Sequence, residues 1–272
     1  MEKMSLYFFT SGLATIALAT ALYAIYFASR QGDAGRFATI FAWIGAALLT
    51  GSVLTRTIVA QRGPFANMYE FSLSFSWGIL LAYVIMERKY KLRTMGAFVV
   101  PVSLLMLIYA MTVPNTVEPL VPALQNNLLL TIHVSLAIVA YAMVAVAFGL
   151  AVMYLIQKSR NDRVSFLPPA AFLDSLGYKS VLIAFPFIFL MIVIGALWAD
   201  IAWGRYWGWD PKETASLVTF MIYAGYLHAR AVAGWRGSTT AVLLIIGFVA
   251  TLFTFFGVNL FLSGLHSYAG TS

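Results

Sequence analysis

Eight long apolar stretches, almost free of charge, dominate this sequence and leave few folds open to it. An α-helix needs about 20 mostly apolar residues to cross a bilayer, and each stretch has about that length. The apolar residues are continuous rather than alternating, which excludes the strands of an outer-membrane barrel. We therefore predict an all-α, polytopic membrane bundle of about eight transmembrane helices, at residues 5–28, 37–60, 69–86, 94–112, 128–157, 180–199, 214–229 and 239–262.

Composition excludes other classes of protein. The chain is 61% hydrophobic and 10% charged, whereas soluble domains are about 45–50% apolar and about 25% charged. It has no cysteine, which excludes disulfides, thiolate metal sites and cysteine nucleophiles. We expect a single integral membrane domain over residues 1–272. The short seventh span should continue past Arg230, whose side chain can extend to the membrane interface.

The charges separate the loops into two sides. One side carries twelve of the 17 basic residues and four acidic ones, a net charge of +8, and the other carries five basic and six acidic residues, a net charge of −1. Because an excess of lysine and arginine marks the cytoplasmic side, both termini should be extracytoplasmic. This distribution accounts for the net charge of +7 without a nucleic-acid partner.

The three histidines are unevenly placed in depth. His133 and His266 lie near the outer ends of the fifth and eighth spans, and His228 lies within the seventh. From its position in that span, His228 should be roughly 21 Å from the outer surface. Ionisable side chains inside a membrane are costly and often functional. The alternative, that each histidine hydrogen-bonds within the bundle or lies in interfacial water, stays open.

The loop at residues 202–214, between the sixth and seventh spans, is the most unusual segment. Four of its aromatic residues fall within seven consecutive positions: Trp203, Tyr206, Trp207 and Trp209. An interfacial aromatic belt would spread such residues over many helix ends. Crowding instead favours a surface for a large planar apolar ligand. Asp210, directly before Pro211, is also typical of a helix N-cap, so its role stays open between cap and ligand contact.

Two imidazoles and an aromatic surface on one side of the membrane are what a six-coordinate iron porphyrin requires. Spacing in the sequence does not show that His133 and His266 meet, and their shared depth is the basis for pairing them.

At these residues the chain resembles a known family. The segment WGRYWGWDPKET (203–214) resembles the tryptophan-rich WWD signature of haem-handling proteins. Its DPKET form is similar to the CcsA/ResC branch, the membrane subunit of the system II cytochrome c synthase. Further blocks follow in the family order: GPFANMYEFSLSFSWG (63–78), VPALQNNLLLTIHVSLAIVAYA (121–142), LDSLGYK (173–179), YLHAR (226–230) and FGVNLFLSGLHSY (256–268). The two helices within residues 1–60 match only in hydropathy, so the resemblance implies a haem-handling core at 61–272.

The resemblance implies cytochrome c biogenesis, with haem b held non-covalently as substrate. His133 and His266 would ligate the iron at an outer site beside Trp203, Trp207, Trp209 and Asp210, with Tyr206 in the same loop. There the two thiols of a CxxCH segment in apocytochrome c would add across the haem vinyl groups, a lyase reaction that needs no side-chain acid or base.

His228 would ligate haem arriving from the cytoplasmic side. Fused family members have two membrane-embedded histidines, and this chain has one. The resemblance therefore implies that a ResB/Ccs1-type membrane subunit supplies the second histidine and is needed for activity. The location would be a bacterial cytoplasmic or thylakoid-type membrane, with the WWD loop facing the extracytoplasmic side.

Three alternatives remain from the sequence: a haem chaperone resembling the CcmC branch, a membrane b-type electron-transfer cytochrome, and a transporter whose aromatics are only anchors. Eight spans rather than six, and three histidines rather than facing pairs, disfavour the first two. Positive charge and placement on the outer side make Arg56, Arg205 and Lys212 hypothetical partners of the haem propionates. Glu70 has no assignable role from the sequence.

Overall fold

The computed structural model describes residues 1–117, 127–262 and 264, and over these residues it contains helices and connecting turns but no strand. The helices are α1 (Glu2–Ser29), α2 (Gly32–Ala60), α3 (Met68–Tyr90), α4 (Gly96–Ala110), α5 (Asn127–Ser159), α6 (Ala170–Trp203), α7 (Pro211–Ala231), α8 (Ser238–Leu252) and α9 (Val258–Phe261). A π-helical segment, Phe253–Gly257, joins α8 to α9. The prediction of an all-α bundle is confirmed.

Seven helices in the described part are long and apolar enough to cross a membrane, so the chain is an integral membrane protein. The eighth long helix, α7, has 21 residues but is too polar to be one of the seven. Helix α6 begins ten residues before the predicted span at 180–199. Asp174 and Lys179 lie in those ten residues, and their charges hide the start of the helix from a hydropathy argument.

The helices form two compact units, which are described separately. The first comprises Met1–Pro119 with Val164–Leu167, and therefore contains α1 to α4. The second comprises Leu120–Arg163 with Pro168–Ser272, and contains α5 to α9. The WWD loop, His133 and His228 all belong to the second unit.

Small residues allow α1 and α2 of the first unit to pack closely. A Cβ added at Gly12 would lie 2.8 Å from Cδ2 of Leu49, and one added at Gly45 would lie 2.7 Å from Cγ1 of Ile16. Close approach of backbones at small residues is a main source of helix association where lipid replaces water. These two glycines therefore fix the contact between the two N-terminal helices.

A buried carboxylate joins α2 to α3 at one end of this unit. Glu70 is completely buried. It accepts hydrogen bonds from Nε of Arg56 at 2.9 Å, Nη1 of Arg62 at 2.7 Å and the backbone N–H of Ala66 at 2.8 Å. The structure thus gives Glu70 a role that the sequence did not.

Arg56 also donates hydrogen bonds to the chain that follows α4. Its Nη1 donates to the carbonyl oxygen of Asn115 at 2.7 Å, and its Nη2 to that of Thr116 at 2.8 Å. The guanidinium is therefore bonded through all three nitrogens within the first unit. These contacts give Arg56 a structural role in the first unit.

A second buried carboxylate lies at the opposite end of the same helices. Glu87 accepts hydrogen bonds from the hydroxyls of Tyr23 at 2.9 Å, Tyr83 at 2.5 Å and Thr39 at 2.5 Å. Nε of Arg93 lies 3.5 Å from Oε1 of Glu87, the oxygen that also accepts from Thr39. Residues of α1, α2, α3 and the turn before α4 therefore meet at one acidic group, which fixes the four segments in a single arrangement.

Replacing Glu70 by glutamine should destabilise the first unit, because two buried guanidinium groups lose their counter-charge. Breaking a buried ion pair by removing one partner typically costs about 3–5 kcal/mol. We expect a clearly lower midpoint of thermal unfolding in detergent for Glu70→Gln. The matched control is Asp33→Asn, because Asp33 is 82% exposed and pairs with Arg36 on the surface, where an ion pair is worth about 1 kcal/mol or less. Equal midpoints for the two variants would contradict this role for Glu70.

Candidate functional site

His133 is held in a notch between α5 and α6 of the second unit. Its Nδ1 lies 2.8 Å from the carbonyl oxygen of Met191. Gly195 forms the floor of the notch, since an added Cβ would lie 2.8 Å from Cε1 of the imidazole. A carbonyl oxygen can only accept, so Nδ1 carries the proton, and Nε2 is the ring nitrogen able to coordinate a metal.

Trp198 connects His133 to the WWD loop. Its ring centroid lies 6.3 Å from that of His133 and 5.0 Å from that of Trp203. Trp198 is 3% exposed, so the middle one of these three rings is buried and held in place. Sequence reasoning missed Trp198, since a tryptophan near the end of a predicted span is also typical of an interfacial anchor.

Glycines shape the WWD loop itself. Gly204 ends α6 in the left-handed conformation (φ 71°), and its N–H donates to the carbonyl oxygen of Asp200 at 2.7 Å. Gly208 lies under the side chain of Arg205, where an added Cβ would come within 2.7 Å of Nε. The loop can therefore turn sharply with its arginine folded back over its own backbone.

The aromatic side chains of the loop differ in exposure and form two edge-to-face pairs. Trp209 is 68% exposed and Tyr206 57% exposed, whereas Trp203 and Trp207 are half-buried. Trp207 and Trp209 contact each other with planes at 90° and centroids 5.8 Å apart. The indoles therefore do not make one flat platform, and they present both faces and edges around the loop.

Asp210 caps α7. One of its carboxylate oxygens accepts from the backbone N–H of Lys212 at 3.1 Å. In return, Oε2 of Glu213 accepts from the backbone N–H groups of Asp210 at 3.1 Å and Gly208 at 2.9 Å. This reciprocal capping box satisfies donors at the helix N-terminus. The helix-cap interpretation of Asp210 is correct, and the box also fixes the end of the WWD loop.

An apolar groove of about 300 Å³ lies beside this cap, between the start of α7 and the end of α8. It is lined by Pro211, Thr214, Ala215, Val218, Ala250, Phe253 and Leu262. Phe253 is the first residue of the π-helical segment, and such segments often occur at functional sites. The groove offers apolar surface close to the WWD loop.

His228 lies near the other end of α7, seventeen residues after Pro211 and so roughly 26 Å along the helix. Its side chain is exposed. One turn earlier, Gly225 has no atom within 4 Å of an added Cβ. His228 therefore stands on an open helix face beside a position without a side chain.

His266 lies outside the described residues. Gly264, two positions earlier, packs against the helix cap: an added Cβ would lie 2.5 Å from Oδ1 of Asp210 and 3.0 Å from Cδ of Pro211.

Arg205 is the exposed cation of the WWD loop, and no carboxylate lies within ion-pair distance of it among residues 1–117, 127–262 and 264. Lys212 is half-buried in the first turn of α7.

If Asp210 acts as a cap, asparagine should replace it and alanine should not. Loss of an N-cap costs about 0.5–2 kcal/mol, while asparagine caps as well as aspartate. We expect Asp210→Ala to lower the midpoint of thermal unfolding in detergent and Asp210→Asn to leave it within error of the unmodified chain. Equal losses in both variants would show that the negative charge of Asp210, rather than its cap hydrogen bond, is required.

Comparison with known proteins identifies the family. Residues 65–266 match the sequence profile described as "Cytochrome C assembly protein". "Cytochrome c biogenesis protein CcsA" of Guillardia theta is 35% identical over 86% of this chain and 85% of its own length. The protein of the same name from Gloeobacter violaceus is 31% identical over 96% of this chain and 95% of its own length.

A solved structure, "Cytochrome c Heme Lyase CcmF", shares the fold with a TM-score of 0.73 over 94% of this chain, at 18% identity. The chain spans 46% of the length of that protein. The resemblance noted in the sequence is thus confirmed: this chain belongs to the cytochrome c assembly protein family, in its CcsA branch, and functions in cytochrome c biogenesis.

Proposed function

We propose that the chain is the haem-handling subunit of a cytochrome c synthase. It takes up haem at His228, holds it at the WWD loop between His133 and His266, and presents the vinyl groups to apocytochrome c. The observation that carries the proposal is the geometry of His133: its ring is locked by Met191 and Gly195 and is joined to the WWD loop through Trp198. The fold that the chain shares with a protein named as a cytochrome c haem lyase agrees with the proposal.

The environment of His133 fits an iron ligand. A ligating histidine usually donates its other ring N–H to a carbonyl or carboxylate, which fixes the tautomer and the ring orientation. The Nδ1 contact to Met191 supplies that partner at 2.8 Å. The tight fit against Gly195 limits rotation of the ring. His133 is therefore prepared to bind iron through Nε2.

The packing of Gly264 supports His266 as the second outer ligand. Gly264 lies against Asp210, the residue that closes the WWD loop, and His266 follows two residues later. In the proposed site the histidine on α5 and the histidine after α9 bind opposite faces of one haem, with the edges and faces of the loop aromatics around it.

The reaction needs orientation more than acid–base catalysis. Each thiol S–H of the CxxCH segment adds across one vinyl C=C bond: sulfur bonds to one carbon and hydrogen to the other. No atom is lost and no oxidant is consumed. The protein's part is to hold haem with its vinyl edge accessible, to set the iron ligands, and to exclude competing reactions. A chain without cysteine offers no thiol of its own to compete for the vinyl groups.

For the inner site we propose His228 as one axial ligand. Gly225, one turn away, leaves room for the face of a planar macrocycle, and Val218 and Met221 continue the same exposed face with apolar side chains. One histidine cannot complete a bis-histidine site. We assign the second ligand to a ResB/Ccs1-type partner subunit, so the chain would be active only in that complex.

We further propose that the WWD loop faces the extracytoplasmic side of the membrane. Support comes from the charges of the same unit: Lys158, Arg160 and Arg163 lie at the end of α5 and in the turn that follows it, at the end of α6 opposite the WWD loop, and loops rich in lysine and arginine remain cytoplasmic. Haem entering at His228 would then travel along the second unit to the loop.

Visible absorption spectra of the purified chain, oxidised and reduced, test the proposal. We expect the spectrum of low-spin haem. His133→Ala and His266→Ala should each remove the contribution of the outer site to that spectrum. Folded protein with no haem, with or without the partner subunit, would contradict the proposal and favour the transporter class. Haem that is bound but passed to a carrier protein, never to an apocytochrome, would favour the chaperone class.

Gly195→Ala should weaken haem binding at the outer site by displacing the ring of His133, without a direct contact between residue 195 and the haem. The added methyl group would lie 2.8 Å from the His133 ring, so the imidazole must shift. Since a change in the groups that orient a metal-binding histidine typically costs about 10–100-fold in affinity, we expect weaker haem retention and altered axial-ligand bands. The matched control is Gly32→Ala, where an added Cβ has no atom within 4 Å. Unchanged spectra in Gly195→Ala would contradict the assigned position of the His133 ring.

Arg205 is the cation that we assign to a haem propionate. It is exposed, lies over Gly208 and forms no ion pair with the described residues. A charge-assisted hydrogen bond contributes about 1.5–3 kcal/mol, so Arg205→Ala should weaken haem retention about tenfold or more, whereas Arg205→Lys should keep part of it. Dissociation of haem to apomyoglobin measures the difference, and equal rates in all three proteins would contradict the assignment.

A further inference from the structure

A buried ion pair joins three helices of the second unit close to His228. Nη1 of Arg230 lies 2.7 Å and 2.6 Å from the two carboxylate oxygens of Asp174. The hydroxyl of Thr240 donates to the same carboxylate at 3.2 Å. The Arg230 side chain is 2% exposed and lies over the ring of Tyr178 at 4.9 Å. Arg230 was expected to extend to the membrane interface, and instead it is held inside the unit.

The two faces of α7 are the reverse of what a helix in a soluble protein shows, as is usual in a membrane. Its buried residues are all polar: Thr219, Tyr223, Tyr226 and Arg230. The opposite face is open and mostly apolar, with Val218, Met221, Gly225, His228 and Val232 exposed at spacings of three and four residues. Rotation of α7 by one residue, about 100°, would turn His228 off this open face. The function of His228 therefore depends on the rotation of the helix.

The Asp174–Arg230 pair is the strong directional contact at the depth of His228. The two residues 228 and 230 point roughly 200° apart around the helix, so anchoring Arg230 inward directs His228 outward. The hydroxyl of Tyr226 has no hydrogen-bond partner in the part of the chain that the structure describes. The hydrogen bond between Thr219 and Thr254, at 3.1 Å, involves a residue nine positions before His228, or roughly 14 Å away along the helix.

We propose that Asp174 and Arg230 are positioning residues of the inner haem site, which set the rotation of α7 so that His228 faces the iron. The inference rests on the proposed function, because it requires haem at His228. A buried ion pair is weak evidence for stability, because apolar residues of similar size often stabilise a fold equally well. We therefore assign to this pair a role in specifying one geometry of the helices. Here the specified property is the direction of a ligand on the opposite face of the helix.

The test uses the full chain, co-expressed with a ResB/Ccs1-type partner, in a His133→Ala background so that haem spectra report the inner site. Asp174→Asn removes the negative charge and keeps a hydrogen-bond acceptor. Arg230→Lys keeps the positive charge and removes the forked geometry of the guanidinium. His228→Gly removes the proposed iron ligand. Lys179→Gln is the matched control, because Lys179 is exposed five residues after Asp174 on the same helix and should behave as the background.

We expect Asp174→Asn and Arg230→Lys each to weaken haem retention about 10–100-fold, as changes that orient a ligating histidine do. Added imidazole should restore the low-spin spectrum in both variants, as in His228→Gly, because a free ligand does not depend on the rotation of α7. Haem retention equal to that of Lys179→Gln would overturn the inference. The inference would also be overturned if added imidazole restored the low-spin spectrum in His228→Gly but not in the ion-pair variants. That result would show that Asp174 and Arg230 have a purely structural role.

The failure of the proposed function would look different. The proposed inner site at His228 is wrong if the His133→Ala background protein binds no haem. It is also wrong if that protein binds haem that His228→Gly does not remove, whatever the ion-pair variants do. If His228→Gly removes the haem and the ion-pair variants keep it, only the positioning role is wrong.

Discussion

The requirement to satisfy polar groups away from water governs this structure. With so few charged residues in an apolar bundle, each buried carboxylate must find its partners inside the protein. Glu70, Glu87 and Asp174 do so by collecting arginines and hydroxyls from two or more helices. Each cluster therefore fixes the helices that contribute to it, within its own unit.

Under the proposed function, the same requirement explains how the chain would present haem ligands. A histidine that binds iron must have one nitrogen available and the ring held still. The ring of His133 is held by the carbonyl oxygen of Met191, which accepts its Nδ1 proton, and by Gly195, which encloses it. In our proposal the direction of His228 is set indirectly, through the Asp174–Arg230 ion pair on the opposite face of α7. In both cases backbone or charged groups that never touch haem decide where the imidazole points.

Much of this could be predicted from the sequence, and the rest could not, for physical reasons. Long apolar runs gave the helices, and the order of residues around Asp210 gave the start of α7, since both are local properties of the chain. The sequence did not reveal the partner of Glu70, the ring contacts of Trp198 or the pairing of Arg230, which depend on residues far apart in the chain. The crowding of tryptophans in the sequence also predicted a flat surface, whereas in the structure the tryptophans pack edge to face. Hydropathy placed the start of α6 ten residues late because it cannot distinguish a partly buried, paired Asp174 from a solvated loop charge.

The measurement that tests the central claim most directly is covalent attachment itself. The chain, a ResB/Ccs1-type partner and a reporter apocytochrome carrying one CxxCH segment would be produced in a host without its own cytochrome c maturation. We predict a reporter that keeps haem through denaturing electrophoresis, and loss of that haem when Trp207 and Trp209 are both replaced by alanine, with the membrane protein still folded. A reporter that stays free of covalent haem, or one that acquires it equally well with the altered loop, would contradict the proposed role of the WWD loop.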